Sequence, residues 1–252
     1  MSNIKSAFVN GKAYMPFFIC GDPDLDTTAA AVREAVAAGA DLIELNIPFS
    51  DPTAGDAVIQ EANIRALEGG VTTDKIFDLI RQLRKDVTVP FVISGYANVV
   101  FSYGADRFLK TCADIGIDGL IVPDVPFEER EEFLPYCKKY GVDLISMVAG
   151  TSKERVTAIA KEATGFLYVM AYPGGTGEEL GQIVKLVRAV SDIPCAVCIS
   201  SRDAQKLYEN SVKVDGVIED EPIVRMMGQL GTSAPAEVGV HVRRVKENLR
   251  AI

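Results

Sequence analysis

The feature that most constrains the fold of this chain is a repeat of apolar runs separated by amphipathic segments. Four segments pass from Gly or Val through an Asp into a run of Ile, Leu and Val: 39–45 (GADLIEL), 116–124 (GIDGLIVPD), 141–148 (GVDLISMV) and 214–220 (VDGVIED). Four further apolar runs complete the set: 16–20 (PFFIC), 90–95 (PFVISG), 165–171 (GFLYVMA) and 194–199 (PCAVCI). The runs are continuous rather than alternating, which is typical of parallel strands buried on both faces.

Helical patterns lie between these runs, and their order predicts the architecture. In segments such as 74–85 (DKIFDLIRQLRK) and 178–190 (EELGQIVKLVRAV), apolar residues recur every three or four positions, as in helices with one buried face. Strict alternation of strand and helix indicates a parallel sheet, and eight such units in 252 residues fit a closed (β/α)8 TIM barrel. An open, doubly wound sheet is the alternative. No linker divides the chain, so we expect residues 1–252 to form a single barrel domain.

The charge balance narrows the classes of function. The chain has 35 Asp and Glu against 26 Lys and Arg, a formal net charge of −9, which argues against nucleic acid or an anionic membrane as the main partner. Its one histidine, His241, opens a basic, helix-like segment at the end of the chain. A Ser-His-Asp triad, a Cys-His dyad or a multi-histidine metal site would need a histidine placed elsewhere. Carboxylates, tyrosines and backbone amides are the expected catalytic groups, and we expect no cofactor.

The cysteines predict reduced thiols. They are odd in number and scattered along the chain: Cys20, Cys112, Cys137, Cys195 and Cys198. Cys195 and Cys198 have CxxC spacing, but positions three apart on a strand face opposite sides, so we expect no shared metal. No apolar stretch reaches about 18 residues, and no secretory signal is visible at the N-terminus. These features predict a cytoplasmic protein.

The barrel architecture predicts where the chemistry lies. Active sites of this fold lie at the carboxyl ends of the strands and in the loops that follow. Glu44 stands at the end of the second predicted strand. A carboxylate buried at a strand end can have a raised pKa and exchange a proton near neutrality. Glu44 is therefore a candidate catalytic acid or base, the alternative being a solvated acid at a strand end.

Several motifs at the predicted strand ends carry a resemblance. They are 21–23 (GDP), 44–52 (ELNIPFSDP), 96–98 (YAN), 120–126 (LIVPDVP) and 174–177 (GGTG). With these motifs in this order, the chain resembles the tryptophan synthase alpha chain family from about residue 10 to residue 225. The resemblance implies cleavage of indole-3-glycerol phosphate to indole and glyceraldehyde 3-phosphate. It also implies transfer of the indole to a pyridoxal-phosphate beta chain.

The resemblance implies roles for individual residues. It implies that Glu44 is a catalytic carboxylate and that Tyr168 lies beside the substrate. Thr176 and Gly177 match a loop that follows the sixth strand of the family. Three residues match positions that face the beta chain: Asp51, Pro52 and Asn98. A small-molecule substrate and a beta chain are therefore the candidate partners.

The chain departs from the family at positions that matter for catalysis. The resemblance places a second catalytic carboxylate eleven residues after Glu44, where this chain has Gly55, with an acid one residue later at Asp56. The family holds the substrate phosphate with a glycine-rich turn after strand seven and a Gly-Ser at a helix N-terminus after strand eight. Here the first turn reads CISS from Cys198, and the second reads EDEP over 219–222. Carboxylates at a helix N-terminus cap its amides and repel an anion, so we expect phosphate affinity to be lost.

These departures favour a repurposed active site, by natural divergence or by deliberate redesign. A carboxylate base would remove a proton from a small, non-phosphorylated and in some cases aromatic substrate, in lyase or eliminase chemistry on a C–H or C–C bond. The candidate bases are Glu44, Glu219, Asp220 and Glu221. Ser94 and Gly95 leave room for the substrate. The other residues expected to contact it are Tyr96, Tyr168, Tyr172, Thr176, Gly177 and Cys198.

Three alternatives remain open. The chain is a genuine tryptophan synthase alpha chain if Asp56 replaces the missing acid and another phosphate site exists. It is a non-catalytic paralogue or scaffold if only the surface that meets a beta chain is kept. A divalent cation bound by oxygen ligands from Glu44, Asp124, Glu219 and Glu221 is a further variant, although acids at barrel mouths are common without a metal.

Overall fold

One parallel sheet organises the part of the chain that the computed structural model describes, residues 2–53, 55–149, 152–170, 177–199 and 213–251. The strands of these ranges are β1 Ala13–Ile19, β2 Ile43–Asn46, β3 Phe91–Ser94, β4 Gly119–Ile121, β5 Asp143–Leu144, β6 Ser146–Val148, β7 Leu167–Met170, β8 Cys195–Ile199 and β9 Gly216–Glu219. Their order in the sheet is β5-β4-β3-β2-β1-β9-β8-β7-β6.

The sheet closes into a barrel. β5 and β6 are separated only by Ile145, and they pair with β4 and β7 respectively. β1 pairs with both β2 and β9, so the two ends of the sequence meet in the wall. Because β5 and β6 share one strand position, the nine strands occupy eight positions. This confirms the (β/α)8 TIM barrel predicted from the sequence, and the open, doubly wound alternative is wrong.

Helices follow the strands as the amphipathic patterns predict. They are α1 Leu25–Ala37, α2 Ala57–Glu68, α3 Thr73–Leu83, α4 Ala97–Tyr103, α5 Ala105–Asp114, α6 Leu134–Tyr140, α7 Lys153–Glu162, α8 Gly177–Arg188, α9 Glu221–Leu230 and α10 Ala234–Arg250. Short 3-10 helices cover Ile4–Phe8, Phe127–Glu132 and Gly231–Ser233. Within the described ranges, we find no helix with the length and apolar character that a membrane crossing requires.

Two apolar layers fix which side chains face the barrel interior. The outer layer packs between strands and helices, and it includes Val217 of β9. The interior cluster contains the following residues: Ile4, Ala7, Ala13, Met15, Leu42, Val92, Ile121, Ile145, Phe166, Tyr168, Ala196 and Ile218. Because side chains alternate along a strand, the positions two residues beyond the interior ones face the same space. They form the site at the carboxyl ends of the strands.

Three aspartates of the sequence repeat make the same two kinds of contact at the amino ends of the strands. Each accepts a hydrogen bond from a backbone N–H of the neighbouring strand and forms an ion pair with a basic side chain. The contacts are Asp41 with Tyr14 N (2.7 Å) and Lys246 (2.5 Å), Asp118 with Phe91 N (3.0 Å) and Arg84 (2.9 Å), and Asp215 with Cys195 N (2.7 Å) and Arg188. The repeated aspartate therefore joins adjacent strands at the end of the barrel opposite the candidate site.

Candidate active site

Glu44 is a buried acid of the candidate site. It lies on the interior face of β2 and is 4% exposed. Its Oε2 has no hydrogen-bond partner among the described residues. Burial raises the pKa of Glu44 to about 8; a hydrogen bond from Ser94 opposes this rise, and the charge of Asp220 adds to it. The carboxyl is therefore mostly protonated near neutrality and can donate a proton.

Asp220 reaches the same interior space from the end of β9. Its Oδ1 accepts a hydrogen bond from the backbone N–H of Glu221 at 2.6 Å, and its Oδ2 lies 3.5 Å from Sγ of Cys198. Burial raises the pKa of Asp220 to about 6, while the hydrogen bonds to Glu221 and Cys198 limit the rise. Near neutrality Asp220 is therefore an ionised carboxylate that can accept a proton.

Tyr168 and Cys198 complete the interior group, and they hydrogen-bond to each other. Burial is the largest cause that raises the pKa of both groups well above their ordinary values, and the charges of Glu44 and Asp220 add to it. Tyr168 is therefore a neutral phenol that can donate a hydrogen bond. Cys198 is a thiol rather than a nucleophilic thiolate. Cys195 packs in the outer layer, so the two cysteines of the CxxC lie on opposite faces of β8, as predicted.

Ser94, Gly95 and Tyr96 differ in how they relate to the site. Ser94 is buried at the end of β3, and its Oγ donates to Oδ1 of Asn46 at 3.3 Å. A side chain at Gly95 would meet only ordinary van der Waals contacts. Tyr96 precedes α4, and its ring stacks on Phe49 with centroids 4.9 Å apart. Of the three, Ser94 is the one that hydrogen-bonds to the buried carboxyl of β2.

Asp56 caps a helix. Its Oδ1 accepts from the backbone N–H groups of Val58 at 3.0 Å and Ile59 at 3.3 Å, at the start of α2. Its charge reaches Asp220, whose pKa it raises, but the carboxylate itself is engaged by the helix. Gly55 has φ +103°, and a Cβ there would lie 2.8 Å from a methyl group of Ile59. The loop therefore excludes a side chain at the position where the resemblance places a second acid.

Glu219 faces away from the site. Its Oε2 accepts from the hydroxyl of Tyr14 at 2.5 Å and lies 2.6 Å from Nε2 of His241 on α10. The interpretation that Glu219 lines the site with Asp220 is therefore wrong, because consecutive residues at a strand end face opposite sides of the wall. His241 belongs to this outer contact, on the far side of the barrel wall from Glu44.

The four acids considered as cation ligands do not converge. Glu219 faces outward, and Asp124 accepts a hydrogen bond from the backbone N–H of Ala97 at 3.0 Å. Glu221, the first residue of α9, is buried and forms an ion pair with Arg225, so it is not a free base. Across the described ranges there is no group of three or more His, Cys, Asp or Glu that could hold a metal ion.

The residues matched to a beta-chain surface lie on the outside. Asp51 and Asn98 are exposed, and Pro52 is half-buried. Phe101, one turn after Asn98 on α4, is 48% exposed. These positions leave an accessible surface with a large apolar side chain beside polar ones.

Part of the predicted site lies outside the described residues. Tyr172 and Thr176 belong to this part, as do the two serines that follow Ile199. Gly177 is the first residue of α8.

Sequence reasoning missed two features of this end of the barrel. Asn46 faces the interior two residues after Glu44 and contacts Ser94; the strand period of two was a signal for it. Asp22 is buried and accepts two hydrogen bonds from Arg65, at 2.8 Å and 2.9 Å. No local pattern indicated this pair, because the two residues are 43 positions apart.

Nearly the whole chain matches one family model. Residues 3–251 match the model described as tryptophan synthase alpha chain. The chain belongs to the tryptophan synthase alpha chain family. A tryptophan synthase alpha chain from Lacticaseibacillus casei is 38% identical over 252 residues, which cover 98% of this chain and 95% of the relative. One from Shouchella clausii is 40% identical over 232 residues, which cover 89% and 86%.

Solved structures of the tryptophan synthase alpha chain family share this fold. Tryptophan synthase subunit alpha from Legionella pneumophila has a TM-score of 0.91 at 29% identity, with all of both chains covered. A chain of the tryptophan synthase complex from Pyrococcus furiosus has a TM-score of 0.85 at 26% identity, covering 96% of this chain and 99% of that one. These similarities favour the genuine alpha chain among our alternatives, and they give no support to a repurposed or redesigned site.

Proposed function

We propose that this protein is a carbon–carbon lyase that cleaves indole-3-glycerol phosphate to indole and glyceraldehyde 3-phosphate. The observation that carries the proposal is Glu44, a buried carboxyl on the barrel interior at a strand end. It has a pKa of about 8 and one oxygen without a partner among the described residues. Membership of the tryptophan synthase alpha chain family supports this choice of substrate.

The reaction needs one proton delivered and one removed. Glu44 donates its proton to the ring carbon that carries the glycerol side chain. The hydroxyl on the adjacent side-chain carbon then loses its proton to a base, which later releases it to solvent, and its C–O bond becomes a carbonyl. The bond between ring and side chain breaks, and its electron pair returns to the ring. Glu44 ends as a carboxylate and regains a proton from solvent.

An indole assay tests this function. We expect indole to form when the enzyme is incubated with indole-3-glycerol phosphate. Glu44→Gln removes the proton donor, so kcat should fall by about 10³-fold, within the usual range for general acid catalysis. Glu68→Gln, an exposed substitution of the same type on α2, serves as the control and should leave kcat unchanged. If the wild-type enzyme forms no indole at high concentration, the function is eliminated and the non-catalytic paralogue is favoured.

A second candidate is the same reaction on a substrate without phosphate. It is favoured by the N-terminus of α9, where Asp220 accepts from the first backbone amide and Glu221 adds a further carboxylate. Both negative charges oppose an anion at that helix end. Under this candidate, kcat/KM is higher for indole-3-glycerol than for its phosphate ester. A higher value for the ester eliminates it.

A double substitution tests whether the acids at the N-terminus of α9 are the reason that phosphate binds weakly. Asp220→Gly with Glu221→Ser removes both charges and exposes the amides of α9. If the acids exclude phosphate, glyceraldehyde 3-phosphate should bind the variant more tightly than the wild type in a calorimetric titration. Identical titrations would show that the acidic turn does not decide phosphate affinity.

We also infer a beta-chain partner that binds at the exposed residues Asp51, Pro52 and Asn98. The inference is supported by the relative from Pyrococcus furiosus, which is a chain of a tryptophan synthase complex. Asp51→Arg should weaken co-purification with a beta chain. Glu247→Arg, an exposed acid on α10, is the matched control. Equal co-purification of the two variants contradicts this surface.

A further inference from the structure

Two carboxyl groups share the interior end of the barrel, and among the described residues none of the groups that shift their pKa values is a cation. For Glu44 these groups are Ser94 and Asp220. For Asp220 they are the backbone amide of Glu221, the thiol of Cys198 and the carboxylate of Asp56. Elsewhere in the protein, buried acids such as Asp22 pair with arginine. Within the part of the chain that the structure describes, neither Glu44 nor Asp220 forms an ion pair with a basic side chain.

The open hydrogen-bonding capacity of this pair points to a ligand. Glu44 is more than nine-tenths buried and aimed into the barrel, and its Oε2 has no partner among the residues described. A buried polar atom without a partner is destabilising, and a hydrogen bond from a substrate group relieves this. Among the described residues, the hydrogen-bond donor to Oδ2 of Asp220 is the Cys198 thiol at 3.5 Å. Because thiols are weak donors, Asp220 keeps the capacity to accept from a hydroxyl.

We propose that Asp220 is the second catalytic residue and removes the substrate hydroxyl proton while Glu44 protonates the ring carbon. The proposal rests on the lyase function above and holds for either of its two substrates. The O–H bond breaks and its proton passes to Asp220, and the electron pair of that bond forms the carbonyl. The C–C bond then breaks, and its electrons neutralise the protonated ring. After the products leave, Asp220 loses its proton to solvent and Glu44 regains one.

The groups around the two carboxyls determine which one donates a proton and which one accepts a proton. Asp56 and Asp220 both cap a helix, but Asp56 lies in the loop before α2, whereas Asp220 lies at the end of β9, two residues beyond the interior residue Ile218. Glu219 faces outward. Burial without a compensating cation keeps Glu44 protonated up to about pH 8. The hydrogen bonds to Asp220 keep it ionised above about pH 6. Two carboxyls whose environments separate their pKa values in this way form an acid and base pair at neutral pH.

Asp220→Asn is the first test. Asparagine keeps the oxygen that accepts from the backbone of Glu221 but cannot take a proton. We expect kcat to fall by about 10²–10⁴-fold with KM changed little. In the wild type, kcat should fall below about pH 6 and above about pH 8. The variant should lose the acidic limb and keep an alkaline limb, which moves to lower pH because the charge of Asp220 no longer raises the pKa of Glu44. Asp24→Asn, at the cap of α1, is the matched control and should behave as the wild type.

Chemical rescue separates a catalytic role from a structural one. Asp220→Ala should be nearly inactive, and added formate should restore part of kcat by supplying the missing carboxylate. The proposal is overturned if Asp220→Asn keeps its rate and its acidic limb, or if formate restores nothing to folded Asp220→Ala. In both cases wild-type indole formation leaves the lyase function standing. If the wild type cleaves neither substrate, the lyase function itself fails, and the role of Asp220 fails with it.

Discussion

The two ends of the barrel use the same type of side chain in opposite ways. At the amino ends of the strands, Asp41, Asp118 and Asp215 each pair with a cation and with a backbone amide of the next strand. At the carboxyl ends, Glu44 and Asp220 face the interior with no cation among the groups that shift their pKa values. The first set joins strands to helices, and the second set is left available for proton transfer.

The difference shows where the protein gains stability and where it gives stability up. A carboxylate that accepts hydrogen bonds and pairs with a cation loses little on burial. A buried carboxyl with an unpartnered oxygen destabilises the fold. Glu44 is therefore maintained at the expense of stability, as expected for a functional group rather than a structural one. Three experiments test this contrast, beginning with the largest expected effect.

Removing the buried acid should change how stability depends on pH. The pKa of Glu44 is about 8 in the folded protein against an ordinary value of 4.5, so the native state binds more protons than the unfolded chain between these values. Stability contributed by protonated Glu44 is complete below pH 4.5 and is lost as the pH rises through 8. Glu44→Gln lacks this loss, so well above pH 8 it should be more stable than the wild type by about 5 kcal/mol. Urea unfolding across this pH range measures the difference.

The same series contains its own control. Asp220 has its pKa raised in the same direction, to about 6, and contributes a smaller loss of stability that both proteins share. The difference between the two proteins therefore isolates Glu44. A constant difference across the whole range contradicts a buried, protonated Glu44.

Removing a paired acid at the other end should reduce stability without slowing catalysis. Asp118→Ala removes the carboxylate that pairs with Arg84 and the acceptor of the backbone N–H groups of Phe91 and Asn3, and we expect a loss of about 2 kcal/mol in the free energy of unfolding. Asp118→Asn keeps an acceptor for the amide and should lose less. At a temperature where Asp118→Ala is fully folded, its kcat should equal that of the wild type. A large loss of kcat would contradict the division of roles between the two ends.

The smallest effect is expected for an exposed ion pair. Arg33 and Asp86 are paired at 2.7 Å, but their side chains are 41% and 52% exposed. Solvent screens such pairs, so Arg33→Ala should cost about 0.5 kcal/mol or less. Urea unfolding at low and high salt checks this. A loss as large as that of Asp118→Ala would show that pairing matters at this surface independently of burial.

The sequence predicted the barrel because two periods repeat along the chain, one for buried strands and one for amphipathic helices. It predicted that Glu44 is a candidate catalytic acid or base, because an acid at a strand end coincided with family motifs. The expectation that Glu219 faces the site was wrong. The apolar run of β9 is continuous, so it shows no alternation from which the inward-facing residues could be identified. The ion pair of Asp41 with Lys246 was also beyond local patterns, since the partners are 205 residues apart. The cap formed by Asp56 did have a signal, an Asp directly before a helical pattern.

The geometry at Gly55 limits how the loop before α2 can accept an acidic side chain. An acid at this position needs an L-residue at φ +103° and would collide with Ile59. One codon change therefore yields a strained loop rather than a working carboxylate. A smaller side chain at position 59 does not relieve the collision, because the Cβ of that residue would still lie 2.9 Å away. An acid at position 55 therefore requires a different backbone path for the whole loop before α2, and not one substitution alone.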